Sequence, residues 1–336
     1  MNLDPPTSAR SLDSDGGMRS TVATGPGSEA GGRLDKRPLA TVGLTTYKAE
    51  RYIGECLDSL LDQSVGDFEI VISDNGSPDR TVAVCQDYAA RDSRIRVIAS
   101  ERNLGVAANL NRAFALGRGE YFCWASANDW YHPRFLERCI APMQQDPDID
   151  LVASQITVFE DDRRLAKANP ASVDGCLDDD IDRFIACLRL RDGRLFRGVF
   201  RTDAVRDMVP LSSRFGQDII TIARVAAQGK VMLLDEEPYY FVREAPGTVT
   251  HKIPPHQRVS HYEPVDGLKA YVLHRTRNQA ALWAIALRTA RGGSGLLRAI
   301  RGMLGVSWRW RRDFYTDLRD IAGLARGYLR VWLGRA

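Results

Sequence analysis

Glu69-Ile70-Val71-Ile72-Ser73-Asp74-Asn75-Gly76-Ser77-Pro78-Asp79 passes from a run of branched apolar side chains straight into a cluster of turn formers. A short apolar run without polar alternation reads as a strand buried on both faces. The Asp-Asn-Gly-Ser-Pro sequence that stops it reads as a tight turn. Working outward, Leu39 to Leu44 repeats the strand pattern, and residues 49–62 between them place Ile53, Leu57, Leu60 and Leu61 on one helical face. Downstream, Thr81 to Ala90 reads as a helix, Ile95 to Ile98 as a strand, 105–117 as a helix and Tyr121 to Trp124 as a fourth strand. A turn at Ser126 to His132 follows, with Pro133 opening the next helix, and Leu151 to Phe159 makes a fifth strand. This alternation predicts an α/β fold with a mainly parallel sheet flanked by helices. Ligands in such sheets bind at the carboxyl ends of strands. Two of those ends, Asp74 to Asp79 and Ser126 to Asp129, carry polar clusters.

Beyond residue 160 the pattern loosens. Residues 178–190 and 217–228 read as helices, Leu195 to Arg201 and Val231 to Val242 as extended pieces, and 265–336 as helices broken at Arg291-Gly292-Gly293-Ser294-Gly295. Residues 1–37, rich in Gly, Ser, Thr, Asp and Pro, read as a disordered tail without a signal peptide. The division is therefore a tail at 1–37, an α/β domain at 38–250 and a helical extension at 251–336. The formal net charge of +3 hides an asymmetry: residues 271–336 hold thirteen arginines, no lysine and three acids, so the remainder is net acidic. No run of about 18 apolar residues is present, which predicts no membrane-crossing helix. The six cysteines form no C-x-x-C pair and read as reduced buried thiols. The five histidines lack zinc-ligand spacing. Neither G-x-x-x-x-G-K-[ST] nor G-x-G-x-x-G occurs, which argues against P-loop and dinucleotide enzymes.

Three acids stand out. Asp74 at a strand end has the chemistry to accept bonds from a base or ribose hydroxyl, or merely from its own turn. Asp129 could hold a divalent cation or cap the following helix. Asp218, in Phe215-Gly216-Gln217-Asp218, opens a helix whose dipole favours a carboxylate whatever its function. The acids at 178–180 and 182 read as a solvated helix start.

The ordered motifs resemble the family 2 inverting glycosyltransferases of GT-A fold. Thr45-Thr46-Tyr47-Lys48-Ala49-Glu50-Arg51-Tyr52-Ile53 is similar to the family's P-T-Y-N-x-x-x-Y-L opening, and Phe68 to Thr81 to its E-I-I-V-V-D-D-G-S-T-D-x-T segment. Asn103-Leu104-Gly105 through Asn109 and Asn111 to Tyr121 resembles N-x-G…N…A-x-G-E-Y. Ser126 to Asp129 with Trp130 and Pro133 stands where the family has D-x-D-D-W-x-x-P. Gln217-Asp218, Gly229-Lys230-Val231 and Pro238-Tyr239-Tyr240 resemble the late E-D helix and G-K-I…P-x-x-x-Y strand. The resemblance spans roughly residues 39–245. It implies donor-nucleotide contacts from Thr45, Tyr47, Asp74, Asn103 and Asn109. It further implies diphosphate and metal contacts (Mn²⁺ or Mg²⁺) from Asn128 and Asp129, and Asp218 as general base. Ser126 and Asn128 depart from the family's aspartates, removing negative charge from the metal motif, and Arg243-Glu244-Ala245 lacks the family's late histidine, with His251 only nearby.

The basic segment 296–336 mixes Leu297, Leu304, Trp308, Trp310 and Trp332 with arginines. It reads as amphipathic helices meeting an anionic membrane surface, or packing on the α/β domain; no reader motif accompanies the charge, which argues against nucleic acid. The combined expectation is a cytoplasmic enzyme, peripheral on the inner membrane face, that uses a nucleotide-sugar donor and a glycan or lipid-linked acceptor in polysaccharide or glycolipid synthesis. A binding-only relative that keeps nucleotide-sugar affinity remains open beside it.

Overall fold

The computed structural model describes residues 21–22, 37–160, 163–168, 179–190, 193–211, 216–234, 240–244, 274–312, 315–317, 319 and 322. The expected tail, Cys176, His251 and the chain beyond 322 lie outside or almost wholly outside them. The strands are β1 (Thr21–Val22), β2 (Ala40–Thr46), β3 (Phe68–Asp74), β4 (Ile95–Ala99), β5 (Tyr121–Ser126), β6 (Asp129–Tyr131), β7 (Ile149–Ser154), β8 (Ile156–Glu160), β9 (Arg163–Ala168), β10 (Val199–Arg201), β11 (Lys230–Leu234) and β12 (Tyr240–Glu244). The helices are α1 (Ile53–Leu61), α2 (Thr81–Ala89), α3 (Val106–Leu116), α4 (Phe135–Gln145), α5 (Asp180–Leu190), α6 (Thr202–Arg206), α7 (Gln217–Ala226), α8 (His274–Thr289) and α9 (Gly292–Arg309).

The main sheet runs β1-β4-β3-β2-β5-β10-β7-β11. Pairings β2–β3, β2–β5, β3–β4 and β7–β11 are parallel; β1 and β10 pair antiparallel with their neighbours. The expected mainly parallel sheet is present. One face buries Leu44, Ile70 and Ile72 under Ile53, Leu57 and Leu60 of α1 and Phe135 and Ile140 of α4. The other packs Phe114, Phe122, Trp124, Phe196 and Phe200, with Trp124 stacked 4.6 Å from Phe196.

The expected fifth strand is in fact two. β7 ends at Ser154, and β8 begins at Ile156 in a second sheet ordered β6-β12-β8-β9. Likewise the turn expected at Ser126 to His132 contains β6. Each of two central strands thus hands the chain over to the small sheet at the carboxyl edge. An unbroken apolar run has no local mark for such a bend, because both halves remain buried. The helical break expected at 291–295 is also displaced: α9 starts at Gly292, so the glycines lie within its first turn. Glycine is a poor helix former, by up to about 1 kcal/mol in a helix interior. Burial of Ala299, Met303 and Val306 of α9 with Phe184 of α5, Ile220 of α7 and Leu282 of α8 offsets this. The acids before α5 serve its start: Asp179 Oδ1 accepts from the amides of Ile181 (3.0 Å) and Asp182 (3.1 Å). The five described cysteines are free and buried, in line with the reduced-thiol reading.

At the amino edge, buried Glu69 accepts from Thr41 Oγ1 (2.9 Å) and Arg118 Nη2 (2.9 Å). Gly119 lies flat against β2 there, where an added Cβ would stand 2.4 Å from Thr41 N and 2.5 Å from Ala40 C. Those atoms are backbone and cannot move aside. Gly119→Ala is therefore expected to destabilise the fold by about 3 kcal/mol, read as a lower melting temperature.

Candidate functional site

The carboxyl ends of β2, β3 and β5 define one edge of the main sheet. At the end of β3 the Asp74 carboxylate is fully buried. Its Oδ1 accepts from the amides of Gly76 (3.0 Å) and Ser77 (2.9 Å), and its Oδ2 from the hydroxyls of Thr46 (2.9 Å) and Ser77. The turn needs Gly76, whose φ is +75° and whose Cβ position is filled by Arg102 backbone at 2.6 Å. Ser77 Oγ accepts from the Lys48 amide (2.9 Å), so the turn after β3 is tied to the one after β2. Asp74 therefore holds the turn and spends its lone pairs doing so.

Two further residues expected at the nucleotide are also braces. Asn103 Oδ1 accepts from Asn75 Nδ2 (2.8 Å) and the Gly105 amide (2.8 Å). Asn109 Oδ1 accepts from Ser73 Oγ (2.7 Å) and Arg112 Nη2 (3.0 Å). Behind them Arg112 donates Nε to Ser73 Oγ (2.8 Å) and Nη2 to the Asp74 carbonyl. The remaining two face outward to different degrees. Tyr47 is exposed just past the end of β2, and half-buried Thr45 donates its hydroxyl to the Ala125 carbonyl (3.2 Å).

At the β5–β6 corner, Ser126 Oγ donates to Asn128 Oδ1 (2.6 Å). Asp129 points inward and is 0% exposed. Its Oδ2 accepts from Arg197 Nη1 and from the Tyr240 hydroxyl, and its Oδ1 is sealed from solvent and finds no hydrogen-bond partner among the described residues. Tyr131 donates in turn to the Tyr240 hydroxyl (3.2 Å). Burial works against the Arg197 charge, but Asp129 beside it outweighs this and holds the guanidinium above its ordinary value. A divalent cation prefers several oxygen ligands, carboxylates above all. This corner offers a hydroxyl and an amide bonded to each other, plus a carboxylate enclosed in a salt bridge. Among the described residues no cluster of three or more His, Cys, Asp or Glu could hold a metal ion. The residues present do not fit the cation that the motif led one to expect at Asn128 and Asp129.

Asp218 lies in the first turn of α7, half-buried, after Gly216 at φ +80°. β11, which follows α7, runs parallel to β7, so α7 descends from the carboxyl edge and its N-terminus lies there. Asp218 therefore shares an edge with the Asp74 turn and the Asn128 corner. α8 of the C-terminal extension supports it, since Asn278 fills the space beside Gly216. Sequence reading missed Arg197 and the bonding role of Tyr240. Arg197, in a turn before β10, meets its partner 68 residues away in the small sheet, and carries no motif that would have marked it.

The fold is shared with a solved structure, S. aureus TarS 1-349 in complex with UDP-GlcNAc (TM-score 0.58, 16% identity, 81% of this chain and 73% of that one). Among curated proteins, Bacillus subtilis EpsJ, described as an uncharacterized glycosyltransferase, is 34% identical over 127 residues, covering 38% of this chain and 36% of that protein. Chondroitin synthase of Escherichia coli is 33% identical over 113 residues, 34% of this chain and 16% of that protein. This chain thus spans only about a third or less of either relative. Residues 41–205, which carry the β3 turn, the Asn128 corner and Arg197, match the family model described as Glycosyl transferase family 2.

Proposed function

We propose that this chain is an inverting glycosyltransferase that binds a nucleoside-diphosphate sugar at the carboxyl edge of the main sheet. The observation that carries the reading is the common edge: a tied turn at Asp74 to Ser77 and a helix N-terminus presenting Asp218. The match of residues 41–205 to Glycosyl transferase family 2 supports it, as does TarS, whose fold is alike and which was crystallised with UDP-GlcNAc. The Asp218 carboxylate takes the proton of the acceptor hydroxyl as the new C–O bond forms. The bond from the anomeric carbon to the diphosphate breaks, and its electron pair leaves with the phosphate oxygen. One displacement inverts the anomeric centre. Asp74, Asn103 and Asn109 act by holding the turns, while Thr45 and Tyr47 meet the nucleoside.

Tyr47 is 43% exposed, so its loss should leave the fold intact. Stacking of a base on an aromatic ring contributes about 1–3 kcal/mol. Tyr47→Ala is therefore expected to weaken nucleoside diphosphate binding roughly tenfold without lowering the melting temperature, as measured by calorimetric titration and thermal denaturation.

The acceptor in this reading is a glycan or lipid-linked glycan, as in polysaccharide or glycolipid synthesis; the likeness to a chondroitin synthase supports the first. The protein then works from the cytoplasmic membrane face. Among the described residues no helix is long and apolar enough to cross a membrane. α9, however, exposes Leu297 (70%), Leu304 (59%) and Trp308 (71%) along one stripe, with exposed Arg298, Arg301, Arg309 and Arg311 beside it. That combination suits an interface of anionic lipid. The Leu297→Glu/Trp308→Glu double variant should cut sedimentation with phosphatidylglycerol vesicles about tenfold while leaving the fold unchanged.

Turnover decides the enzyme itself. Nucleoside diphosphate should be released from one of the UDP-, GDP- or dTDP-sugars when lipid-linked or oligosaccharide acceptors are supplied, with an inverted product anomer by NMR. Absence of turnover across the set, with donor binding intact, would favour the binding-only reading.

A further inference from the structure

The residues of the Asn128 corner do not suit a cation, yet the proposed chemistry expels a diphosphate. Charge developing on that leaving group has to be met by fixed positive charge or by hydrogen-bond donors. Arg197 answers the description. It ends the short 3₁₀ turn Gly193–Arg197, which packs against β5, β7 and α7, and therefore lies between the Asn128 corner and the helix carrying Asp218. Its Nη1 is bonded to Asp129 Oδ2 and, at 2.9 Å, to the Tyr240 hydroxyl. The side chain is one-third exposed (33%), and among the described residues the guanidinium bonds through Nη1 alone, with neither Nε nor Nη2 sealed from solvent. A guanidinium clamped on one edge is preorganised for two-pronged phosphate contact on the other. The same arrangement accounts for Asp129: its Oδ2 is taken by Arg197 and the Tyr240 hydroxyl and its Oδ1 is sealed from solvent, so the carboxylate is closed to a metal and its burial fixes the arginine in place.

Resting on the glycosyltransferase reading, we propose that Arg197, oriented by Asp129, stands in for the divalent cation at the donor diphosphate. Arg197 donates to the phosphate oxygens and stabilises the electron pair that the departing diphosphate carries away. The proton of the acceptor hydroxyl still goes to Asp218. Asp129 is a positioning residue, acting only through Arg197.

The experiment is calorimetric titration of the full chain with UDP, GDP and dTDP, and with uridine, guanosine and thymidine, in EDTA and again in Mn²⁺. One diphosphate is expected to bind in EDTA within about twofold of its affinity in Mn²⁺. Arg197→Ala should weaken that diphosphate by roughly ten- to a hundredfold, the range of charged hydrogen bonds, and leave the parent nucleoside unchanged. Arg197→Lys, which retains the charge opposite Asp129 and so protects the fold, should show the same selective loss at about tenfold. Three results would overturn the proposal. Binding of the diphosphate only with Mn²⁺ would return the site to a metal while leaving the transferase reading in place. Equal losses for nucleoside and diphosphate in Arg197→Lys would make Arg197 a purely structural lock. Failure of every diphosphate in both conditions would remove the donor reading and this proposal together.

Discussion

Asp218→Asn is expected to lower transfer roughly 1,000-fold, within the range for loss of a general base, while nucleoside diphosphate affinity stays within about twofold. Asparagine is the same size and still suits the start of a helix, so α7 should keep its place between Gly216 and Ala226. What it loses is basicity. A carboxylate in the first turn of α7 is stabilised as the anion by the helix dipole and sits on the edge where the donor is proposed to lie. The two measurements therefore separate: initial rates should collapse, and calorimetric affinity should not. If donor affinity fell as steeply as the rate, Asp218 would be a binding residue and the base would have to be sought elsewhere.

Asp129→Ala should act chiefly on stability, costing about 3 kcal/mol. The carboxylate is enclosed and faces Arg197 and the Tyr240 hydroxyl, and Tyr131 bonds to Tyr240 behind it. Truncation strands a guanidinium two-thirds out of water and takes the acceptor from a buried phenol. The partial exposure of Arg197, which water can reach, places the cost at the lower end for broken buried pairs. For a chain of 336 residues a melting temperature lower by roughly 4 °C would follow. A metal ligand would behave differently: Asp129→Ala would leave stability without cation almost unchanged and abolish any stabilisation by Mn²⁺.

The main sheet was legible because its strands are short apolar runs stopped by turn formers, and the helices between them keep one apolar face. The Asp74 turn could be located from Asp-Asn-Gly-Ser-Pro, but not what the carboxylate does. Whether an Asp at a strand end bonds a ligand or its own turn depends on Thr46 and Ser77 closing over it, which spacing does not reveal. The resemblance implies nucleotide contacts from Asn103 and Asn109, and only the structure shows that their side chains also brace the turns from within. The Asn128 corner was suspect from its missing charges. Arg197, proposed to act in place of those charges, lies in a stretch whose sequence says only that it is short and half apolar. A long-range ion pair leaves no local pattern, and the second sheet that brings its partners together was hidden inside uninterrupted strand-like runs.

The C-terminal extension packs on the domain through one face of α9 and leaves a second apolar face exposed. α9 buries Ala299, Met303 and Val306 on the domain and exposes Leu297, Leu304 and Trp308 on its far side. One stripe packs on the domain and the other is the stripe proposed for membrane contact, and periodicity sees only their sum.

The claim that the carboxyl edge is a nucleoside-diphosphate-sugar site is tested most directly by thermal denaturation with UDP, GDP, dTDP and ADP. One of the first three should raise the melting temperature by several degrees at a hundredfold excess over its dissociation constant, where binding adds about 2.7 kcal/mol, and Tyr47→Ala should shrink that shift. No shift with any of them, or an equal shift with all four that Tyr47→Ala leaves untouched, would contradict it.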